Sequence, residues 1–486
     1  MTLHPAPDDL AWLSEGQREA VLAPAGPLLV VAGPGTGKTA TVAERIAHLL
    51  RSGAAALPEV LALTFSRAAA RALAARLVAR LGPAGAAVHA TTFHAFGLWL
   101  ARRWAGELGL DPARLVVYGE EEARALLVEA LGGDAREPPP AETLPALAAA
   151  IDEARLALAA GTAPLAGAVA PAEAYERLLR ARGAIDFPGM LAAPLRLFRE
   201  HPHILRRYQA TYRWILADEF QDVAAPQYAL LRLLAAAHSN LTVVGDTCQT
   251  LYAWRGADAA HLLDFADAHP GTRVVRLTQN FRSTGAILAV ANALGAALPY
   301  GQALWTANPP GAAPVLRAAR DPADEAAFIA AELARLLAAG RLDHPREAAV
   351  LARTNQQAAP LLAALGARGI PLGTAVAEDA GAWVGTIHGA KGGEWRAVFV
   401  AGLEEDLLPH RHALDAAAAG PGGAGAALAG ELHAAYVAVT RPRERLYLTH
   451  CRRREEATPG GGTVVRPSRP SRFLGLLPAD TLARAA

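Results

Sequence analysis

The sequence is poor in several kinds of residue, and each shortage excludes a class of protein. Its 486 residues include two cysteines, Cys248 and Cys451, which excludes a disulfide framework, and no cysteine–histidine cluster has the spacing of a zinc site. No uninterrupted apolar stretch reaches the ~18 residues of a membrane-spanning helix. The first residues lack a basic segment followed by an apolar run, so no signal peptide is expected. We therefore expect a soluble, cytoplasmic protein with no membrane partner.

An excess of charge of one sign is also absent, because 47 basic residues stand against 46 acidic ones. Any binding of nucleic acid therefore requires a local basic groove. Only Lys38 and Lys391 are lysines, and every other basic residue is an arginine. A GC-rich genome explains the general use of arginine, so the two exceptions indicate positions where a compact ammonium group is needed.

The stretch at 28–39, LLVVAGPGTGKT, predicts a phosphate-binding loop. Four apolar residues indicate a short buried strand, a glycine-rich turn follows, and a helical pattern begins after the turn. Such a turn lets backbone N–H groups and the N-terminus of a helix face phosphate groups. In this motif Lys38 reaches the β- and γ-phosphates and the Thr39 hydroxyl holds Mg²⁺. Ala32 replaces the first glycine of the usual motif, which a turn without positive φ at that position would accept.

The order of strand and helix patterns predicts an α/β fold with a parallel sheet. A helix is expected in 12–24, with Ser14 as its N-cap and Gln17 as the capping-box partner. Residues 97–183 have a helical pattern without a convincing strand, which predicts a helical insertion of roughly 85 residues. Strands of the first region are expected at 60–66, 88–96, 213–222 and 241–246, and the segment at 88–96 passes into a helix.

A second α/β region is expected from residue 273 onward, with strands near 273 and within 346–351 and 384–400. The alanine- and glycine-rich residues 413–430 are predicted to form a mobile linker. The basic, proline-rich tail is predicted to be a loop followed by a short terminal segment.

An acidic pair follows the strand pattern at 213–222. Asp218 is well placed to hold Mg²⁺ through water, and Glu219 to position or deprotonate an attacking water. A single acidic pair at this position is usually a solvated strand end. In combination with the phosphate loop, it becomes a candidate Walker B motif.

Ten stretches of the sequence resemble the motifs of the UvrD/Rep-like superfamily 1 DNA helicases, in the order that the family has them. The resemblance implies two RecA-like P-loop NTPase domains with parallel sheets, with ATP in the cleft between them and single-stranded DNA across both. It places the first domain at 1–96 and 184–272, the helical inserted subdomain at 97–183 and the second domain at 273–486. The stretches are GQREAV, AGPGTGKT, LALTFS, TTFHAFG, ILADEFQD, VVGDTCQTLYAWRGAD, LTQNFRS, RTN, TIHGAKGGEW and YVAVTR.

The same resemblance assigns roles to individual residues around ATP. Gln17 reads the adenine, Phe281 packs on the base, and Glu394 contacts the ribose. Thr39 and Asp218 hold Mg²⁺, and the catalytic set is Lys38, Glu219 as base, Gln249 as γ-phosphate sensor, and the paired arginines Arg282 and Arg441. The implied ATP-binding positions are Gln17, Gly33, Pro34, Gly35, Thr36, Gly37, Lys38, Thr39, Phe281, Arg282, Glu394 and Arg441.

On the DNA side, the resemblance implies a path for a single strand along aromatic and polar residues. An aromatic ring beside an arginine gives a base-stacking platform worth ~1–3 kcal/mol per base. Taken alone, Trp254 is at least as readily explained as a core tryptophan, and its motif decides for DNA. The implied DNA-binding positions are Phe65, His94, Tyr252, Trp254, Arg255, Arg353, Asn355 and His388.

Some positions depart from the family pattern. The substitutions are Ala40, Arg67-Ala68, Thr247-Cys248, Gly393 and Trp395, and none removes a residue of the hydrolytic set. Only 14 residues separate Pro371 from Thr386, where the family normally carries a second inserted subdomain. A connection of that length holds a turn and one strand, not a domain.

These features predict an ATP-dependent single-stranded DNA translocase or helicase. The resemblance implies 3′→5′ movement, Mg²⁺ as cofactor, fork or tailed duplex DNA as substrate, and a repair or replication protein as partner. The alternative is a non-hydrolysing DNA-binding scaffold subunit of a larger repair complex, which the intact hydrolytic residues argue against. A small-molecule kinase would leave the second α/β region without a role.

Overall fold

The computed structural model describes residues 10–132, 142–251, 260–373, 381–418, 421–457 and 463–485. The chain divides into two compact units. The first contains 1–30, 39–244 and 255–275, and the second contains 31–38, 245–254 and 276–486. Within the described residues, no helix is both long enough and apolar enough to cross a membrane.

Up to residue 277, strands and helices alternate at the beginning and at the end of the region, and its middle is mainly helical. The strands are β1 (Leu28–Ala32), β2 (Val60–Thr64), β3 (His89–Thr92), β4 (Val116–Val117), β5 (Ala184–Ile185), β6 (Trp214–Ala217), β7 (Leu241–Gly245) and β8 (Arg273–Leu277). The helices are α1 (Glu15–Leu22), α2 (Lys38–Arg51), α3 (Arg67–Leu81), α4 (Phe93–Arg103), α5 (Glu120–Ala130), α6 (Leu144–Ala160), α7 (Val169–Ala181), α8 (Gly189–Glu200), α9 (Pro202–Thr211), α10 (Ala225–Ala235), α11 (Ala260–Leu263) and α12 (Phe265–Ala268).

Six of these strands form one sheet in the order β3-β2-β6-β7-β1-β8. The pairs β2–β3, β2–β6 and β6–β7 are parallel. Every residue of β1, β2, β6 and β7 is buried, as expected for a parallel sheet covered on both faces. The predicted α/β class with a parallel sheet is therefore confirmed, as are the predicted strands of the first region.

Strand β8 differs from its prediction, because it was expected to open the second α/β region. It lies instead at the edge of the first sheet, beside β1. Its burial alternates, with Val275 and Leu277 buried and Val274 exposed, as an edge strand requires. A strand pattern shows that a segment pairs, but it does not show with which sheet.

The helical middle of the first unit is built on α5, α6 and α7. One expectation fails in detail, since Val116–Val117 pairs in parallel with Ala184–Ile185 where no strand was expected. Helix α4 also continues past residue 97, the predicted start of the insertion, to Arg103. Two exposed valines carry too little periodicity to announce a strand from sequence.

A buried ion pair fixes this helical region to the strand that follows it. The Arg155 guanidinium donates to both carboxylate oxygens of Asp186, at 2.7 and 2.8 Å, and the Tyr175 hydroxyl donates to the same carboxylate at 2.9 Å. The N–H of Gly189, the first residue of α8, donates to Asp186 at 2.9 Å. Burial alone would raise the pKa of Asp186, but its Arg155 partner outweighs burial and lowers it. Asp186 thereby holds α6, α7 and the start of α8 together.

The second region begins with α13 (Gly285–Ala296). Its other helices are α14 (Pro322–Ala338), α15 (Asn355–Ala367), α16 (Arg411–Ala418) and α17 (Pro421–Val439). Its strands are β9 (Val315–Ala319), β10 (Ala348–Ala352), β11 (Leu372–Gly373), β12 (Ala382–Thr386), β13 (Trp395–Val400), β14 (Pro442–Cys451), β15 (Arg453–Ala457), β16 (Thr463–Pro467) and β17 (Ala483–Arg484).

Seven strands form a second parallel sheet in the order β11-β12-β10-β13-β14-β9-β17. Alternate residues of its central strands enter different cores. Val398 and Val400 pack with residues of α13 and α17, whereas Ala397 and Phe399 pack with residues of α14 and α15. Helices therefore cover both faces, and the predicted second α/β region is present.

Two predictions for the end of the chain are wrong. Residues 413–430 are not a linker, because the described residues there belong to α16 and α17. Alanine is the strongest helix former, so a low-complexity alanine-rich segment can be a helix when it packs against a sheet. The tail is not a simple loop either, since β15 and β16 form an antiparallel hairpin in which Arg454 lies opposite Arg466.

The short segment between Pro371 and Thr386 contains β11 and β12, which pair in parallel with Leu372 opposite Ala382. Residues 374–380 lie outside the described residues. The two strands therefore lie side by side at the edge of the second sheet.

Candidate nucleotide site and DNA-facing residues

The phosphate loop connects β1 to α2, and its glycines are required by geometry. Gly35 and Gly37 have φ values of +69° and +83°. A Cβ atom on Gly35 would lie 2.5 Å from Asn280 Nδ2, so a side chain is excluded there by contact as well as by φ. Ala32 ends β1 and does not have positive φ, as the sequence predicted for a tolerated alanine. Thr36 closes the turn by donating its hydroxyl hydrogen to the Gly33 carbonyl at 2.8 Å.

Backbone carbonyl groups of the phosphate loop hold the Lys38 side chain. Its ammonium group donates to the carbonyl oxygens of Ala32 and Gly33, both at 3.2 Å. Asp246 Oδ2 lies 3.9 Å from the same Nζ. The ammonium group is therefore positioned by two backbone carbonyl oxygens and by a carboxylate.

Gln249 and Arg441 form a chain of hydrogen bonds that starts at Asp246. Gln249 Nε2 donates to Asp246 Oδ2 at 2.7 Å, and Gln249 Oε1 accepts from Arg441 Nη2 at 3.1 Å. Arg441 is 2% exposed, and its Nε donates to the Val437 carbonyl at 3.0 Å. The structure therefore brings together three residues of the predicted catalytic set: Lys38, Gln249 and Arg441.

Two further side chains hold the backbone of the Gln249 segment. Lys391 Nζ donates to the Gln249 carbonyl oxygen at 2.8 Å, and His433 Nδ1 bonds to the Cys248 carbonyl oxygen at 2.9 Å. Because a carbonyl only accepts, His433 must carry its proton on Nδ1. The rarity of lysine in the sequence singled out Lys391, whereas nothing in the sequence pointed to His433.

Arg282 and Glu394 lie against each other. Arg282 Nε donates to Glu394 Oε2 at 2.6 Å, and Arg443 also pairs with this carboxylate. Burial alone would raise the pKa of Glu394, but these two arginines outweigh burial and lower it. Phe281 is 46% exposed, and its N–H donates to the Gly35 carbonyl at 2.8 Å. Its ring is thus free to pack on a flat ligand beside the phosphate loop.

Thr39 and Asp218 offer oxygen ligands suited to a hard divalent cation. The Thr39 hydroxyl donates to Asp218 Oδ2 at 2.7 Å, and Asp218 is 1% exposed. Mg²⁺ prefers such a hydroxyl and carboxylate with several waters retained, so this pair fits the ion. The neighbouring Glu219 has φ 54° and ψ 45°, a left-handed conformation that costs ~1–3 kcal/mol and is concentrated at functional sites. Gln221 Nε2 donates to Glu219 Oε2 at 2.5 Å and orients the carboxylate.

Gln17 forms the predicted capping box. Its Oε1 accepts from the Ser14 N–H at 3.0 Å, and Ser14 Oγ accepts from the Gln17 N–H at 3.3 Å. Gln17 is 4% exposed. The Gln17 side chain therefore caps the helix, and this role directs its Oε1 toward the Ser14 N–H.

The DNA positions fall into three groups. Tyr252, Trp254 and Arg255 lie outside the described residues. In the second unit, Arg353 donates to both oxygens of Glu431, at 2.7 and 3.0 Å. The remaining positions are Phe65, His94 and His388, which are partly buried, and Asn355, which is exposed at the start of α15.

Two aromatic rings stack on the first unit, and only one of them, His94, was among the predicted DNA positions. The rings of His94 and Phe187 stack with centroids 3.8 Å apart and 16° between planes, and Phe187 is 60% exposed. Burial lowers the pKa of His94 to about 4, so its ring is neutral at pH 7. Phe187 follows directly on the anchored Asp186. Sequence reasoning missed it because nothing in the sequence distinguishes this phenylalanine from a core residue.

A glycine-rich loop between a buried strand and a helix, facing a lysine, with acids after a parallel strand, defines a P-loop nucleotide-binding protein of the α/β class. Two family models agree with this class. The UvrD/REP helicase N-terminal domain matches residues 13–270, and the UvrD-like helicase C-terminal domain matches 275–379 and 383–453. The chain therefore belongs to the UvrD/REP helicase family.

Two curated relatives point the same way. The ATP-dependent DNA helicase UvrD1 of Mycobacterium tuberculosis is 34% identical over 388 residues, which is 76% of this chain and 50% of that protein. The ATP-dependent DNA helicase PcrA of Staphylococcus aureus is 33% identical over 359 residues, 72% of this chain and 48% of that protein. The chain thus spans about half the length of the curated relatives it matches.

The conformation of the loop leads to a prediction about Gly35. Gly35→Ala forces a side chain against Asn280 and should weaken binding of a fluorescent ADP analogue by at least ~10-fold, about 1.4 kcal/mol. Gly53→Ala is the matched control, because Gly53 has φ +74° but no atom within 4 Å of an added Cβ. Both variants should lose about 1–2 kcal/mol of stability from backbone strain. Equal affinities in the two variants would contradict the contact with Asn280.

Proposed function

We propose that this protein is an ATP-dependent translocase on single-stranded DNA that moves 3′→5′, hydrolyses ATP with Mg²⁺ and acts in DNA repair, replication or recombination. The observation that carries the proposal is the chain from Lys38 through Asp246 and Gln249 to Arg441. It joins the phosphate-facing lysine to a buried arginine by way of a neutral amide. Such an arrangement is suited to sensing a γ-phosphate, because any shift of Gln249 is passed directly to Arg441.

The hydrolytic chemistry is assigned to the acids after β6. Glu219 is the general base, held by its left-handed backbone and by the amide of Gln221. Thr39 and Asp218 would hold Mg²⁺, which neutralises charge on the phosphates. Lys38, Arg282 and Arg441 supply positive charge for the transition state. Arg282 is paired with Glu394, so that its charge is balanced in the structure described.

DNA is proposed to run along exposed aromatic and polar side chains. The stack of His94 and Phe187 presents a flat ring 60% open to solvent, on a base fixed by Asp186. A ring of this kind stacks on any base, so the binding should show little sequence preference. Specific repair or replication partners remain part of the proposal and rest on the family alone.

We propose the same three-part organisation that the resemblance implied. It consists of two RecA-like domains and one helical insertion, without the second inserted subdomain of the family. The adjacency of β11 and β12 supports the last point, since the 14 residues between Pro371 and Thr386 include residues of two neighbouring strands. The membership of β8 in the first sheet supports a first domain that extends to Leu277.

The first test concerns turnover. Glu219→Gln should lower kcat for ATP by ~10²–10⁴-fold with nucleotide binding retained, because only the base is lost. Lys38→Ala should abolish turnover and weaken nucleotide binding. Glu153→Gln, an exposed acid on α6, is the matched control and should behave as the unmodified protein. Steady-state hydrolysis at the normal rate by Glu219→Gln would contradict the assignment, and a protein that binds DNA but never hydrolyses ATP would favour the scaffold alternative.

The second test concerns the aromatic platform. Phe187→Ala should raise the concentration of oligo(dT) that gives half-maximal ATPase by ~5- to 100-fold, because one stacked base is worth ~1–3 kcal/mol. The maximal rate and the KM for ATP should not change. Leu165→Ala removes a similarly exposed apolar side chain from the same unit and should have no effect. The DNA titrations must be made at one salt concentration. An unchanged midpoint in Phe187→Ala would rule out the stacking role.

The third test separates translocation from unwinding. A motor without the second inserted subdomain should displace a dye-bound block from single-stranded DNA but separate a long tailed duplex poorly. The two rates should be compared with monomeric protein under the same conditions. Efficient separation of the long duplex by monomers would show that the missing subdomain is not needed for a grip on duplex DNA.

A further inference from the structure

Arg45 is a charged residue that is buried in the first unit. It lies on α2, two helical turns after the phosphate loop, and is 1% exposed. No carboxylate of the described residues forms an ion pair with it. Burial lowers the pKa of Arg45 to about 10, which leaves the guanidinium charged at neutral pH. A buried charge of this kind persists only where polar groups satisfy its donors.

The donors of Arg45 are satisfied by the end of α1. Its Nη1 donates to the carbonyl oxygens of Ala20, Val21 and Ala23, at 2.9, 3.2 and 2.9 Å. Its Nη2 reaches the Pro24 carbonyl oxygen at 3.4 Å. The last carbonyls of a helix lack partners within the helix and carry partial negative charge. The positive charge and the helix end therefore stabilise each other.

Helix α1 does not end in the usual left-handed C-terminal cap. Its C-cap residue, Ala23, has φ −54° and ψ 134°, and the next residue is Pro24. Proline cannot adopt the left-handed conformation with which a helix usually ends its last turn. Arg45 supplies the missing cap from another helix. Its Nε also donates to Thr242 Oγ1 at 3.1 Å, which ties the guanidinium to β7.

Helix α1 carries Gln17, whose amide is oriented by the capping box with Ser14. Helix α2 carries Thr39 in its first turn. We propose that Arg45 is a positioning residue that sets the nucleobase-reading helix at a fixed distance from the phosphate-binding helix, and so determines which nucleobase the site accepts without touching the nucleotide. The inference rests on the proposed role of Gln17 as reader of adenine.

The test compares nucleobase discrimination with stability. ATP and GTP compete for a bound fluorescent ADP analogue, and the ratio of their inhibition constants measures discrimination without requiring hydrolysis. Arg45→Met, which replaces the guanidinium side chain by a shorter, unbranched one without a donor, should lower this ratio at least ~5-fold. Gln17→Ala should lower it by a similar factor, and the double variant should lose little more, because both changes remove one function.

Two controls separate positioning from loss of stability. Ile46→Ala removes a fully buried side chain from the next position of α2 and should lower the melting temperature while leaving the ATP to GTP ratio unchanged. Arg45→Lys keeps the charge but lacks the planar fork that spans several carbonyls, so it should give an intermediate ratio. The Lys variant also supplies the measurement if Arg45→Met does not fold.

The outcomes distinguish the inference from the function on which it rests. If Gln17→Ala lowers the ratio and a folded Arg45 variant leaves it unchanged, the positioning role is wrong and the proposed function stands. If Gln17→Ala has no effect, the reading of adenine by Gln17 is wrong and the inference fails with it. If Ile46→Ala lowers the ratio as much as Arg45→Met does, the effect is a general loss of stability and the positioning role is overturned.

Discussion

The carboxylate of Asp246 is the constraint on which the nucleotide site depends. It follows β7 directly, so the sheet fixes its position. It accepts from the Cys248 N–H at 2.9 Å and from Gln249 Nε2 at 2.7 Å, and it lies 3.9 Å from Lys38 Nζ. Because its Nε2 is committed to Asp246, Gln249 must turn its oxygen the other way, where Arg441 donates to it. The Asp246 carboxylate thus sets the orientation of the Gln249 amide, and through it the contact with Arg441.

Two further side chains, Lys391 and His433, hold the backbone of the segment that carries Gln249. Lys391 and His433 bind consecutive carbonyl oxygens, those of Gln249 and Cys248. Lys391 follows β12, whereas His433 and Arg441 lie on and just after α17. The segment that carries Gln249 is therefore held at three points by elements that pack on one sheet. A rigid connection of this kind passes displacement along, whereas a flexible loop would absorb it.

The sequence predicts best what depends on local chemistry. Ser14 and Gln17 form the expected capping box, Ala32 lies where a negative φ allows it, and Lys391, which the rarity of lysine singled out, donates to the Gln249 carbonyl oxygen. It predicts less well what depends on packing at a distance. The partners of Arg45 lie more than twenty residues away, and only the fold shows that they form a helix end. The sequence did not predict α17 for the same reason. Its alanine- and glycine-rich composition is also typical of a linker, and only its packing against a sheet makes it a helix.

Two of the departures from the family pattern lie at residues that are buried in the structure. Trp395 occupies a position where phenylalanine is usual, and it stacks in the core on Trp383 with ring centroids 5.4 Å apart and 24° between planes. The larger pair fits because residue 385 is glycine, whose added Cβ would lie 2.7 Å from the Trp383 ring. Thr247 and Cys248, which replace an acidic pair, are likewise buried, and the Thr247 hydroxyl donates to the Tyr300 carbonyl at 3.3 Å. The hydrogen bonds from Gln249 to Asp246 and from Arg441 to Gln249 are present beside these exchanged residues.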